Sequence, residues 1–106
     1  MTAGSKVVYV AGKITGNPRY REQFANAQMV LEHMGYVVLN PATLPSGMEY
    51  EQYMNIDTAM LMEADTVCFL PNWKDSPGAR KEKMLADKNK KRVLYYDRIR
   101  IQEKYI

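Results

Sequence analysis

The sequence predicts a single three-layer α/β/α domain on a four- or five-stranded parallel sheet, doubly wound in the flavodoxin-like manner. Three observations predict it. Short β-branched runs alternate with longer stretches of helical period. The first three runs each end in a loop rich in Gly, Pro, Asn or Ser. The length, 106 residues, suits one domain and leaves no room for two. Alternating strands and helices imply a parallel sheet covered on both faces, with right-handed crossovers.

The elements follow in order. Lys6 to Ala11 is short, β-branched and aromatic, as a buried strand is. A loop, Gly12-Lys13-Ile14-Thr15-Gly16, leads to Asn17-Pro18, a capping-type residue and a proline that suit a helix entry. Phe24, Ala27, Leu31 and Met34 recur at helical spacing before Gly35 stops the helix. Tyr36 to Leu39 is a second strand, closed by Asn40-Pro41. After a loop at 42–48, a second helix spans about Glu49 to Ala64 and a third strand Asp65 to Leu70. The loop from Pro71 to Asp75 precedes Ser76-Pro77, which opens a third helix reaching about Asn89. Arg92 to Tyr96 is a fourth strand, and the tail from Asp97 is charged and left unassigned.

Composition narrows the function classes. One cysteine, Cys68, in an apolar run permits neither an internal disulfide nor a zinc site. Its neighbours suit a buried structural thiol. The N-terminus is small and polar, and no apolar stretch approaches the roughly 20 residues that span a bilayer. The expectation is a cytoplasmic protein with no membrane partner. The net charge is +3, with much of the positive charge late in the chain. A solvated helix face accounts for it most simply, attraction to anionic ligands comes second, and nucleic-acid binding last, since no recognised motif accompanies it. Eight Met and eight Tyr in so short a chain hint at an interface between copies.

Two carboxylates stand where apolar residues belong. The second helix has an apolar arc of Tyr53, Ile56, Met60, Leu61 and Ala64, and Asp57 lies inside it. On the third helix, charged residues cover most of the circumference; the remaining arc holds Ala79, Leu85 and Ala86, and Glu82 with them. A carboxylate on a core-facing stripe is costly unless paired. A structural ion pair is one explanation. Acid–base or covalent glycosyl chemistry is the other.

In doubly wound sheets ligands bind beyond the carboxyl ends of the strands. Those ends are the loops at 12–16, 40–48 and 71–78. The first offers two glycines, a cation and a hydroxyl, though it matches neither a Walker nor a G-x-G-x-x-G pattern. Ser76-Pro77-Gly78 starts a helix, where free N–H groups favour an anion. Simple N-capping by Ser76 explains that residue equally well.

In combination these residues resemble the nucleoside 2-deoxyribosyltransferase superfamily, including the 2′-deoxynucleoside 5′-phosphate N-hydrolases and short phage and bacterial members of unestablished activity. The set is Tyr9 with Gly12-Lys13-Ile14-Thr15-Gly16, Asp57 with Ala64-Asp65, and Ser76-x-Gly78-x-x-x-Glu82 followed by Ala86. Asn40-Pro41 and the stretch from Leu70 to Arg80 add to it, and the match covers roughly residues 6 to 96. The resemblance implies a retaining cleavage of an N-glycosidic bond. Glu82 would attack the anomeric carbon of a 2-deoxyribosyl group, Tyr9 would orient Glu82, and Asp57 would assist departure of the base or hold the hydrogen bonds of the site. It also implies binding of sugar or 5′-phosphate by Gly12, Lys13, Thr15, Gly16, Asn40, Ser76 and Gly78, with no cofactor or metal. Trp73 is a candidate to stack on the base. Lys13 and Thr15 stand where the N-hydrolases carry serine and arginine. Lys83, after the glutamate, departs from the small or apolar residue typical of the superfamily, and the chain lacks the C-terminal additions of its characterised members.

The expected ligand is thus a small nucleoside or nucleotide, bound by a homodimer or higher homo-oligomer. Three functions compete: an N-glycosidase, acting as hydrolase or transferase; a nucleotide-binding sensor without turnover; and a basic protein- or nucleic-acid-interaction domain.

Overall fold

A computed structural model describes residues 6–99. It is an α/β domain with a four-stranded, all-parallel sheet among the described residues. The strands are β1 (Val7–Ala11), β2 (Val37–Leu39), β3 (Thr66–Phe69) and β4 (Arg92–Tyr95). The helices between them are α1 (Tyr20–His33), α2 (Tyr50–Glu63) and α3 (Pro77–Lys88).

The strand order is β2-β1-β3-β4. The chain moves one way from β1 to β2, then crosses back over β1 to β3 and onward to β4. With right-handed crossovers this puts α1 on one face and α2 and α3 on the other. The core divides accordingly. Val8, Val10 and Cys68 pack with Phe24, Ala27 and Leu31 of α1. Tyr9, Ala11, Val67 and Phe69 pack with Leu61 of α2 and Ala86 of α3. Alternate residues of β1 and β3 therefore serve opposite faces, as the strand period of two requires. Both faces being covered, these strands are buried almost throughout. The reversal of strand order falls between β1 and β3, and their carboxyl ends open the crevice that holds the site.

Several boundaries differ from expectation. Helix α1 starts at Tyr20 rather than at Asn17-Pro18. The Asn17 side chain accepts the Arg19 N–H at 3.2 Å and donates to the Lys13 carbonyl at 2.9 Å, which holds this segment as a turn. Met34 is the C-cap of α1 and 42% exposed, outside the core stripe. Ile56 is 37% exposed. Of α2 only Asp57 and Leu61 are buried, so its contact stripe is narrower than the predicted arc. Asn40-Pro41 ends β2 and opens a short 3-10 turn, Pro41–Thr43, and a second such turn occupies Trp73–Asp75. Beyond β4, residues 96–99 are helical and Ile99 joins the core on the α1 side. The rest of the predicted charged tail lies outside the described residues. No helix among the described residues is long and apolar enough to cross a membrane.

Candidate functional site

The site is built from Tyr9, on the side of β1 that α2 and α3 cover, and from the stripes of those helices that face it. Tyr9, in mid-β1, is 1% exposed and points to the side of α2 and α3. Its hydroxyl donates a hydrogen bond to Glu82 Oε2. Glu82 is one of three buried residues of α3, with Ala79 and Ala86, each three or four positions from it and so on one stripe. Asp57 is buried on the facing stripe of α2, and its Oδ1 has no hydrogen-bond partner among the described residues.

Burial is the largest cause of the shift in all three groups. Burial raises the Glu82 carboxyl to about 8; the Tyr9 hydrogen bond opposes this and the nearby Asp57 charge adds to it. Burial raises Asp57 to about 6. Burial, then the charges of Glu82 and Asp57, push the Tyr9 hydroxyl well above its ordinary value. Tyr9 is therefore a fixed donor at neutral pH, and the two carboxyls titrate in the working range of an acid–base pair.

All three border a cavity of about 450 Å³ at the carboxyl ends of the strands, a size ordinary for a small-molecule site. Its lining comes from Ala11 and Gly12 at the end of β1, from Tyr20 and Phe24 of α1, from the segment 44–48, and from α2 and α3. Two glycines leave little room at the wall. A Cβ on Gly12 would lie 3.0 Å from Leu70, and one on Gly78 would lie 3.3 Å from Met54 Sδ and 3.4 Å from the Tyr50 hydroxyl. Ser76 caps α3 by accepting the Ala79 N–H at 3.1 Å, and its own hydroxyl proton remains free to donate into the cavity.

The predicted site residues divide into two groups. Tyr9, Gly12, Thr15, Asp57, Ser76, Gly78 and Glu82 all line the cavity. Lys13, Gly16, Asn40 and Trp73 do not. Lys13 donates its backbone N–H to Asn72 at 3.1 Å, and Gly16 turns the chain away at a φ of +76°. Asn40 is buried as a structural cap: its side chain accepts from the Ala42 N–H at 2.8 Å and donates to Gln28 at 2.9 Å. Trp73 packs against Phe69, ring centroids 5.1 Å apart, and belongs with Tyr95 to the core on the α2 and α3 side. Lys83, the departure beside Glu82, pairs with Asp87 at 2.7 Å.

Sequence reasoning missed Tyr20, Tyr50, Met54 and Asp75, which also line the cavity. Tyr50, Tyr53, Met54 and Asp57 fall at i, i+3, i+4 and i+7 at the start of α2. That spacing marks one stripe ending on the buried carboxylate, and it was legible in principle.

Fold and site together define a doubly wound α/β domain with a tyrosine-braced pair of buried carboxyls at its switch point. The chain belongs to the DUF4406 family, a domain of unknown function, whose family model matches residues 6–95. No curated protein matches it.

Proposed function

We propose that this protein cleaves or transfers at the N-glycosidic bond of a 2′-deoxynucleoside or its 5′-monophosphate. The observation that carries the reading is the Tyr9–Glu82 hydrogen bond beside buried Asp57 at the wall of the cavity. In this reading a Glu82 oxygen attacks the anomeric carbon as the bond to the base breaks. Asp57 assists departure of the base. Water, or a second base, then displaces Glu82 from the sugar, so two inversions give net retention. Tyr9 holds Glu82 in position and stabilises its ionised form, against the burial that disfavours charge. The mostly apolar surround, from Ile14, Leu44, Met48, Tyr53 and Met54, suits a heterocycle.

A second reading is a nucleotide-binding module without turnover. It is favoured by the Glu82 carboxyl at about 8, which leaves the nucleophile largely protonated at pH 7. Incubation with deoxynucleosides and a free acceptor base separates the readings. Exchange of bases means a transferase and simple release a hydrolase. Tight binding with neither product sinks the enzymatic reading.

The proposal includes a homo-oligomer. Supporting it, the outward residues of α2 between Gln52 and Met62 carry no charge, and Ile56 and Met62 are exposed among them. Light scattering that finds only monomer would remove this part. A cytoplasmic location belongs to the same reading.

A further inference from the structure

We infer that Asp75 sets the substrate class of the cavity, which takes an uncharged nucleoside and rejects the 5′-phosphate ester. This rests on the N-glycosidase reading and chooses between its two substrates. The carboxyl side chains of the wall are Asp57, Asp75 and Glu82, and among the described residues no Lys, Arg or His joins them. Cations are not scarce, since the chain has 15 Lys and Arg. Lys13, the predicted phosphate contact, is off the wall. Arg21 donates to the Ala42 carbonyl and the Ser46 hydroxyl, each at 3.0 Å, and the Lys81 ammonium sits 5.6 Å from the centre of the Tyr50 ring. Both touch wall residues without lining the cavity.

The start of α3 does not make up for the missing cation. An anion at a helix start needs free backbone N–H groups. Pro77 has none. The Ala79 N–H goes to Ser76 Oγ at 3.1 Å and the Arg80 N–H to the Ser76 carbonyl at 2.9 Å. Gly78 is left as the backbone donor of that turn. Directly before it stands Asp75, on the wall and exposed. A phosphate placed there meets one backbone donor and one hydroxyl against a carboxylate. An uncharged sugar hydroxyl needs no more than the first two and accepts the third as a partner.

Calorimetric titration of the Glu82→Gln protein with each deoxynucleoside and its 5′-monophosphate tests the inference, with folding checked by circular dichroism. The nucleoside should bind roughly tenfold more tightly, and the ratio should shrink at high salt because Asp75 is exposed. Adding Asp75→Asn, or Asp75→Ser as a second variant, should narrow the ratio by strengthening the monophosphate. Equal or tighter binding of the monophosphate, a ratio that ignores Asp75 and salt, or no binding of either ligand overturns the inference. Base release by the wild-type protein is scored separately. Nucleoside binding without release defeats the N-glycosidase reading alone, and release with a preference for the monophosphate defeats the Asp75 inference alone.

Discussion

Tyr9 and Glu82 lie 73 residues apart in the chain, and the hydroxyl of one donates to the carboxyl of the other inside the core. The bond joins mid-β1 to the inner stripe of α3 and fixes how the helix sits over the sheet. Burial of Glu82 couples its protonation to the stability of the fold.

That coupling has a definite sign. The Glu82 carboxyl is near 8 in the folded chain and has an ordinary value of 4.5. Between those limits the folded state holds a proton that the unfolded state has lost, so stability falls as pH rises through the window. Glu82→Gln should flatten the slope and stabilise the protein at pH 8 by on the order of 1–3 kcal/mol. Urea unfolding at pH 5 and pH 8 checks this; parallel curves for both proteins would disconnect Glu82 from the slope.

Turnover should follow a bell in pH. One limb belongs near 6 and the other near 8, where Asp57 and Glu82 titrate. The active form carries one proton on the pair. Both placements of that proton give the same bell, so the profile reports the pair rather than either residue. A rate flat from pH 5 to 9 would take both carboxyls out of the chemistry.

Tyr9→Phe removes a donor to a carboxyl and leaves the ring to pack. Glu82 should then titrate still higher, moving the alkaline limb upward and cutting the rate at pH 7 roughly tenfold to a hundredfold. A lower rate with the limb unmoved would assign Tyr9 a packing role only.

The legible parts of the sequence were those set by periodicity. Strand and helix alternation gave the architecture, and Asp57 and Glu82 stood out as carboxylates on apolar stripes; both are buried. Periodicity is coarse at the margins of a stripe, so Ile56 and Met34 were placed inward and lie outward. Loop residues were the least legible. Whether Lys13, Asn40 or Trp73 faces a ligand depends on backbone direction in a turn, set by contacts such as Lys13 N–H to Asn72 that join residues 59 apart. Tyr9 is apolar in pattern, and its polar role came through the resemblance alone.

Trp73 gives a test of that difference. It packs with Phe69 and Tyr95 and is off the cavity wall. Trp73→Ala should cost about 2–3 kcal/mol, less than a fully buried tryptophan, with little change in KM. A raised KM at unchanged stability would make it the base-stacking residue after all.

In the proposed reaction Glu82 is the nucleophile and the base is released. The most direct measurement is chromatographic detection of free base from each deoxynucleoside and its 5′-monophosphate, with the wild-type protein and Glu82→Gln side by side. Release by the wild type and its loss in the variant, with ligand binding retained, is the expected result. Substantial release by the variant, or none by a folded wild-type protein that binds the nucleosides, would contradict it.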